Sequence, residues 1–366
     1  MICQYCASSG INHCWPGQRR VRLYLGVVNA GKWGYVASRL LYFRAAAAVL
    51  TRFCPVRRTP LTAQLLRGAG LSGRLRTEID LAIQRLILAG GPPPTLATVL
   101  VGADPSACAY RASIERTLAR VEIAHLAVDV ADSIRHEEFS REIRRLSDDP
   151  AITGILVLMP LPAHLPQSLV YENLSPLKDV DGITPVNAGR MHMGLPALRP
   201  STPQGGIELL DHYGIEIEGR RAVVIGRSNV VGRPLASLLV QRHATVTICH
   251  RRTVDLPSIT RQADILCVAA GHAGLVTVDM VKPGAVVLDF GVNAVAEGIT
   301  GDVAFDEVSG IAGAVTPVPG GTGPVTALVL ARNTVAAGFA SLGGSLDAVQ
   351  ELTRVVAELG PRLSHG

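Results

Sequence analysis

The segment VVIGRSNVVGRP (223–234) places two glycines between a predicted strand and a predicted helix, in a pattern that could bind a phosphate. Gly226 ends the apolar strand and Gly232 opens the helix, while Ser228 stands where the common G-x-G-x-x-G pattern has its middle glycine. Such a tight turn directs backbone N–H groups and a helix N-terminus at an anion. Glycines in strand-to-helix turns are often only structural, so this segment alone favours neither interpretation.

A basic cluster follows one strand later. The strand predicted at 244–250 ends at His250, and Arg251 and Arg252 come next. An NAD site would carry an acidic residue here for the ribose 2′-hydroxyl, whereas guanidinium groups bind a 2′-phosphate. Arg227 in the first turn adds a third guanidinium. A solvated surface cluster is the structural alternative, but two signals spaced by one β-α-β unit favour NADP as the cofactor.

Thr202, in the segment STPQG (201–205), begins another predicted helical stretch. Its hydroxyl either serves the cofactor or substrate or caps that helix, and capping is the simpler interpretation. With Thr202 kept as a candidate, the predicted cofactor-binding residues are Gly226, Arg227, Ser228, Val231, Gly232, Arg251, Arg252 and Thr202.

The segment AYRASIER (109–116) begins a predicted amphipathic helix. Tyr110 and Ile114 are four residues apart, so they share one face of that helix. This face contacts either the core of the protein or a binding pocket, and the spacing alone does not distinguish the two.

Strands and helices must alternate to position these residues. Buried strands are predicted at 95–102, 123–130 and 152–162, with helices at 61–87, 110–121 and 137–146. After a loop-like stretch at 162–203, further strands are predicted at 221–226, 244–250, 263–271 and 284–291, and a last helix at 324–340. Such alternation is typical of the α/β class with parallel sheets, which bind ligands at the carboxyl ends of their strands.

Composition excludes several classes of protein. The chain has 366 residues, of which 48% are hydrophobic and 18% charged, as expected for a folded protein of two domains. The net charge of +5 comes from the first 77 residues, which lack Asp and Glu, so nucleic-acid binding is not indicated. No apolar run is long enough to predict a membrane span.

The acid-free, Arg-rich extension at 1–60 resembles an organelle transit peptide, although an upstream extension with no fold of its own is the preferred interpretation. Its Cys3 and Cys6 have the spacing of metal ligands, but no second pair follows, so no metal is expected. Cys108, Cys249 and Cys267 lie in apolar runs and indicate a reducing compartment, which we take to be the cytoplasm.

Seven segments match one protein family in order and spacing, from about residue 61 onwards. They are MPLPAHL (159–165), KDVDGITPVNAGR (178–190), PSTPQGGIELL (200–210), VVIGRSNVVGRPLASLL (223–239), GLVTVDMVKPGAVVLDFGVN (274–293), GDVAF (301–305) and TPVPGGTGPVTALVLARNT (316–334). Together they resemble the bifunctional methylenetetrahydrofolate dehydrogenase/methenyltetrahydrofolate cyclohydrolase family.

The resemblance implies a homodimer and a two-domain fold with a reduced folate in the cleft between the domains. The expected folate domain covers 61–200 and 325–366, and its C-terminal helix returns to it from an NADP-binding Rossmann domain at 201–324. Pro319, Gly320 and Gly321, in PVPGGTGPVT (317–326), are expected to line the cleft.

The resemblance also implies catalytic positions. Tyr110 matches a tyrosine that lies against the folate, and Asp181 matches an aspartate that binds the pterin. The family's lysine and glutamine positions hold Ile114 and Leu158, respectively. Two of the four expected polar residues are therefore aliphatic in this chain.

The two replacements should affect the family's two reactions differently. Hydride transfer from the methylene bridge to nicotinamide needs alignment of two bound partners, whereas opening the methenyl ring with water needs a proton-handling group. We expect dehydrogenation to survive and cyclohydrolysis to be lost or reduced by about 10²–10⁴-fold. The alternatives are a divergent paralogue acting on another iminium-type substrate and a non-catalytic folate- or nucleotide-binding protein.

Overall fold

The computed structural model describes residues 63–296 and 298–350. The extension at 1–60, with Cys3 and Cys6, therefore lies outside the described residues. The described chain is built from parallel sheets and flanking helices, so the predicted α/β class is confirmed.

A three-stranded parallel sheet forms the first domain. After a short strand β1 (Gln64–Leu65), its strands are β2 (Thr95–Val101), β3 (Ala124–Val130) and β4 (Gly154–Val157), in the order β3-β2-β4. The helices of this part are α1 (Ala69–Leu88), α2 (Pro105–Ala119), α3 (His136–Asp148), α4 (Ser168–Asn173) and α5 (Pro185–His192). Asp104 caps α2 by accepting the N–H groups of Ser106 and Ala107, which fixes where the Tyr110 helix begins.

A six-stranded parallel sheet forms the Rossmann domain, in the order β1-β11-β8-β7-β5-β6. Its own strands are β5 (Arg221–Ile225), β6 (Thr245–Cys249), β7 (Ile265–Val268), β8 (Val286–Asp289) and β11 (Ala314–Val315). Strands β9 (Asn293–Val295) and β10 (Gly298–Thr300) form an antiparallel hairpin. The helices are α6 (Ser201–His212), α7 (Gly232–Gln241), α8 (Leu256–Thr260) and α9 (Phe305–Val308), with a 3₁₀ turn at Val278–Met280.

The long helix α10 (Thr322–Gly343) returns to the first domain and packs against α1 and α6, as predicted; a 3₁₀ turn (Leu346–Val349) follows it. It is apolar and long enough to cross a membrane, but 83% of its apolar window is buried inside the protein, so it is a core helix. Arg332 on α10 binds the carboxylates of Glu78 on α1 and Glu208 on α6. This buried ion network ties the three helices together.

Three differences from the sequence-based expectation affect the description of the fold, beside smaller shifts such as the earlier start of α2 at Pro105. The helix expected from residue 61 begins only at Ala69, because strand β1 pairs in parallel with β11 at the edge of the second sheet. The strand expected at 152–162 is only the four residues of β4. The loop-like stretch at 162–203 contains the short helices α4 and α5 and the start of α6.

Candidate functional site

The strand-to-helix turn after β5 requires glycine at two positions. Gly226 has a φ of +126°, and a Cβ there would lie 2.2 Å from the carbonyl oxygen of Ala269. A Cβ on Gly232 would lie 2.2 Å from the carbonyl oxygen of Gly226. The turn is therefore closed by direct backbone contact, which leaves the cradle open for a phosphate group.

Ser228 takes over part of the role of the missing middle glycine. Its Oγ accepts the backbone N–H groups of Val231, at 3.0 Å, and of Gly232, at 3.4 Å. The hydroxyl thereby holds the turn that leads into α7 in shape. The exposed Ser228 and its neighbours face solvent at the carboxyl end of β5, where a pyrophosphate would approach.

Three exposed guanidinium groups surround this turn. Ile225 pairs with Cys249 in the sheet, so the ends of β5 and β6 are adjacent. Arg227 follows the first strand, and Arg251 and Arg252 follow the second. Within residues 63–296 and 298–350, none of the three forms an ion pair, so all remain available to a 2′-phosphate.

A cavity of about 450 Å³ lies between the two domains, beside the start of α10. Its walls come from α1, α2, the start of α6, the hairpin and the loop before α10. Five of the predicted residues line it, namely Tyr110, Thr202, Pro319, Gly320 and Gly321. Thr202 does not cap α6, whose N-cap is Pro200 without a side-chain hydrogen bond, so the capping interpretation is wrong and Thr202 faces the cavity.

Ser201 is the hydrogen-bond partner of Asp181. The Ser201 hydroxyl donates to Oδ1 of Asp181 at 2.9 Å, and the Ser201 N–H approaches the same oxygen at 3.4 Å. The Ser201 side chain also lies beside the phenol of Tyr110. Tyr110, Ser201 and Asp181 thus form one polar cluster next to the cavity.

Burial controls the titration of this cluster. It raises the pKa of the Asp181 carboxyl to about 7, although the two hydrogen bonds from Ser201 oppose the shift. Burial and the neighbouring Asp181 also raise the pKa of the Tyr110 phenol, which stays protonated at neutral pH. Asp181 is therefore the group of this cluster that changes charge near pH 7.

Ile114 and Leu158 are sealed in the core. Their exposed fractions are 0% and 2%, and both belong to the apolar cluster around α10. Neither is among the residues that line the cavity. The two positions at which the resemblance implies a lysine and a glutamine thus hold only buried hydrocarbon.

Backbone contacts hold the Asp181 loop in place. Asn333 on α10 donates from Nδ2 to the carbonyl oxygens of Val180 and Arg199, each at 2.8 Å. The first carbonyl directly precedes Asp181 and the second lies two residues before Ser201, so one buried amide holds both loops. Gly182, with a φ of +58°, packs so closely on Leu198 that a Cβ would lie 2.5 Å from its carbonyl oxygen.

The sequence-based reasoning missed several residues of the site. Ser201 is separated from Asp181 by twenty positions, and nothing in its sequence surroundings signals the contact. Arg76, Arg116 and Arg120 line the cavity as well, and helical spacing from Tyr110 could have indicated the last of them. Within the described residues, no group of three or more His, Cys, Asp or Glu side chains could hold a metal ion.

Comparisons with known proteins agree with this architecture. Residues 66–181 match the family model described as tetrahydrofolate dehydrogenase/cyclohydrolase, catalytic domain, and residues 200–341 match the NAD(P)-binding domain of the same family. The bifunctional protein FolD of Chloroflexus aurantiacus is 49% identical over 284 residues, which cover 77% of this chain and 100% of the relative.

Two solved structures extend the likeness to the fold. The bifunctional FolD methylenetetrahydrofolate dehydrogenase/cyclohydrolase of Campylobacter jejuni is 41% identical, with a TM-score of 0.72 over 75% of this chain and 98% of that one. The Trypanosoma brucei enzyme, solved with NADP cofactor and inhibitor, is 34% identical, with a TM-score of 0.72 over 76% and 98%. Both domains are matched in order, and one relative is matched over its whole length. The chain therefore belongs to the tetrahydrofolate dehydrogenase/cyclohydrolase family.

Proposed function

We propose that this chain oxidises 5,10-methylenetetrahydrofolate to 5,10-methenyltetrahydrofolate with NADP, and that its cyclohydrolase activity is lost or strongly reduced. The dehydrogenase and its cofactor follow from membership of the family and from the intact nucleotide turn. The observation that carries the second half is the complete burial of aliphatic side chains at Ile114 and Leu158.

The described residues suit hydride transfer. Gly226 and Gly232 keep the phosphate cradle open, and Arg227, Arg251 and Arg252 surround it. The bound NADP supplies the hydride acceptor. The protein has to align the two ligands and exclude water, and neither task requires it to move a proton.

Tyr110 and Asp181 would hold the folate. Asp181 keeps Oδ2 free of hydrogen bonds to its own chain in the described structure, because Ser201 occupies only Oδ1. An ionised Asp181 can therefore accept N–H donors of the pterin and also balance the positive charge of the methenyl product. Tyr110 presents its ring to the cavity, where an aromatic part of the substrate can stack.

Water addition to the methenyl product lacks its usual proton carrier. Ile114 and Leu158 can neither donate nor accept a proton, and the Tyr110 phenol has its pKa raised by burial. Loss of an acid–base group reduces such a step by about 10²–10⁴-fold. In this proposal, the two aliphatic residues thus separate the two activities that the family usually combines.

The test measures both reactions on the full chain. NADPH formation from methylenetetrahydrofolate should be readily detected, and hydrolysis of the methenyl compound should run no faster than about 1% of it. The double variant Ile114→Lys, Leu158→Gln should gain cyclohydrolase activity. Hydrolysis by the unchanged chain at a rate comparable to oxidation would refute the proposal, and so would the absence of NADP-dependent oxidation.

We also propose a homodimer in the cytoplasm. The edge strand β6 and its surroundings expose Ile248, at 43%, and Val254, at 88%, which favours a second copy on this face. Cys108, Cys249 and Cys267 are free thiols, which suits a reducing compartment. Sedimentation of the chain and of an Ile248→Glu variant would test the dimer.

A further inference from the structure

A second cavity, of about 630 Å³, lies beside the ion network of Arg332. It is formed by α1, α6, α10 and the segment between α5 and α6, and none of its lining residues also lines the cavity between the two domains. Its charged lining residues are Arg74, Arg199, Arg332, Glu78 and Glu208. Its apolar lining residues are Leu195, Pro196, Ala197, Ala336 and Val349. The proposed oxidation has no use for any of these side chains.

Arg199 is the unpaired cation of this second cavity. Glu78 and Glu208 both bind Arg332, and Arg74 lies 3.4 Å from Oε1 of Glu78. Within the described residues, the partly buried Arg199 guanidinium takes part in no hydrogen bond or ion pair. Burial and the like charge of Arg332 lower its pKa. A charge drawn out of water without a partner is unfavourable, so this position favours an anion supplied from outside the chain.

Gln204 supplies an acceptor that has no donor. Its Nε2 donates to Oε1 of Glu208 at 2.9 Å, whereas its Oε1 is buried without a hydrogen-bond partner. A flipped amide would direct its oxygen at the Glu208 carboxylate, so the orientation of the amide is set. Because an unsatisfied buried amide oxygen is unfavourable, Gln204 gains from a ligand N–H group that meets it at the wall.

A free α-amino acid combines the groups that this wall lacks. Its carboxylate accepts paired N–H groups from a guanidinium such as that of Arg199. Its ammonium donates three hydrogen bonds, which suit the oxygen of Gln204 and the remaining lone pairs of Glu78. An aliphatic side chain covers the apolar residues of the wall. An inorganic anion would leave the Gln204 oxygen and the apolar residues without a partner, and a simple amine would add a cation to a wall of three arginines and two glutamates.

We propose that this second cavity binds a free aliphatic α-amino acid, with its carboxylate on Arg199 and its ammonium at Gln204. Leu195 and Val349, which line the cavity, would contact the side chain. The site shares no lining residue with the cavity placed for the folate, so the amino acid should bind in the absence of folate and NADP. The inference therefore does not depend on the proposed function.

The experiment titrates the full chain with L-leucine by calorimetry, without folate or NADP. Leucine should bind saturably, with one molecule per chain. Two analogues each lack one charged group: 4-methylpentanoate has no ammonium, and 3-methylbutylamine has no carboxylate. Each should bind at least about tenfold more weakly, because a hydrogen bond to a charged group contributes roughly that factor. Glycine, which lacks the side chain, should also bind about tenfold or more weakly because it buries no apolar surface.

Two variants locate the ligand. Arg199→Met should weaken leucine binding by about tenfold or more and leave the thermal unfolding midpoint unchanged or higher, because the arginine has no partner in the free protein. Gln204→Met, which removes the unpaired oxygen, should also weaken binding. The matched control is Arg116→Met, because Arg116 is an exposed arginine that lines the other cavity. This control should bind leucine as the unchanged chain does.

Three results would overturn the amino-acid site. The first is the absence of saturable leucine binding to the unchanged chain. The second is equally tight binding of 4-methylpentanoate, which would indicate a site for anions alone. The third is a loss of binding in Arg116→Met with none in Arg199→Met, which would place the ligand between the two domains.

Discussion

Folate binding should depend on pH through one carboxyl group. An aspartate carboxyl ordinarily has a pKa near 3.8, but burial raises the pKa of Asp181 to about 7. Below that pH the group is mostly neutral, and above it mostly ionised. Only the carboxylate offers all its lone pairs to the N–H donors of a pterin, so substrate should bind more tightly as pH rises.

The magnitude follows from the pKa. With a value of about 7, roughly one tenth of the carboxyl is ionised at pH 6 and roughly nine tenths at pH 8. If the ionised form alone binds, the KM for methylenetetrahydrofolate should fall about tenfold between those pH values. The Ser201 hydroxyl donates to Asp181 and opposes the shift, so Ser201→Ala should move the midpoint of the profile above pH 7.

The assay records initial rates of NADPH formation against folate concentration from pH 6 to pH 8.5. Asp181→Asn is the control, because it keeps the shape of the side chain and cannot titrate. That variant should bind more weakly at pH 8 and show a flat profile. A flat KM in the unchanged chain would refute the reasoning, as would an equal pH dependence in Asp181→Asn.

Two further predictions concern charges elsewhere in the protein. Replacing Arg251 and Arg252 by serine should raise the KM for NADP by about tenfold or more and leave the KM for NAD nearly unchanged. The reason is that only NADP carries the 2′-phosphate. An equal rise in KM for both cofactors would contradict the assignment of these arginines to the 2′-phosphate. Arg332→Met leaves Glu208 buried without its ion-pair partner and Glu78 with Arg74 alone, and should lower the free energy of unfolding in urea by about 3–5 kcal/mol. A loss below about 1 kcal/mol would show that solvent replaces the arginine.

Local pattern was sufficient to predict the nucleotide turn. The positive φ of Gly226 and the close backbone contacts of Gly226 and Gly232 both require glycine. In the sequence, these two requirements appear as glycines between a predicted strand and a predicted helix. The alternation of apolar runs likewise predicted the parallel strands. The role of Thr202 was harder to predict, because a hydroxyl at the start of a helix is compatible both with capping the helix and with lining a cavity.

Contacts between distant residues could not be predicted from local pattern. Strand β1 has two residues, too few for any periodicity, and its partner β11 lies some 250 positions later. The bond from Ser201 to Asp181 depends on how two loops meet, and Asn333 controls that meeting from the far end of the chain. Tyr110 and Ile114 share a helix face, yet one lines the cavity and the other is fully buried.

The return of helix α10 has a consequence for biosynthesis. Its residues complete the core under the β2–β3–β4 sheet, and its Asn333 fixes the loop of Asp181. On the ribosome, the first domain therefore emerges without its central helix and must wait while the entire nucleotide domain is translated. Because α10 packs on α6 of the nucleotide domain as well as on α1, neither domain has its full core until α10 has been made. A premature stop within α10 would consequently expose part of the core of both domains.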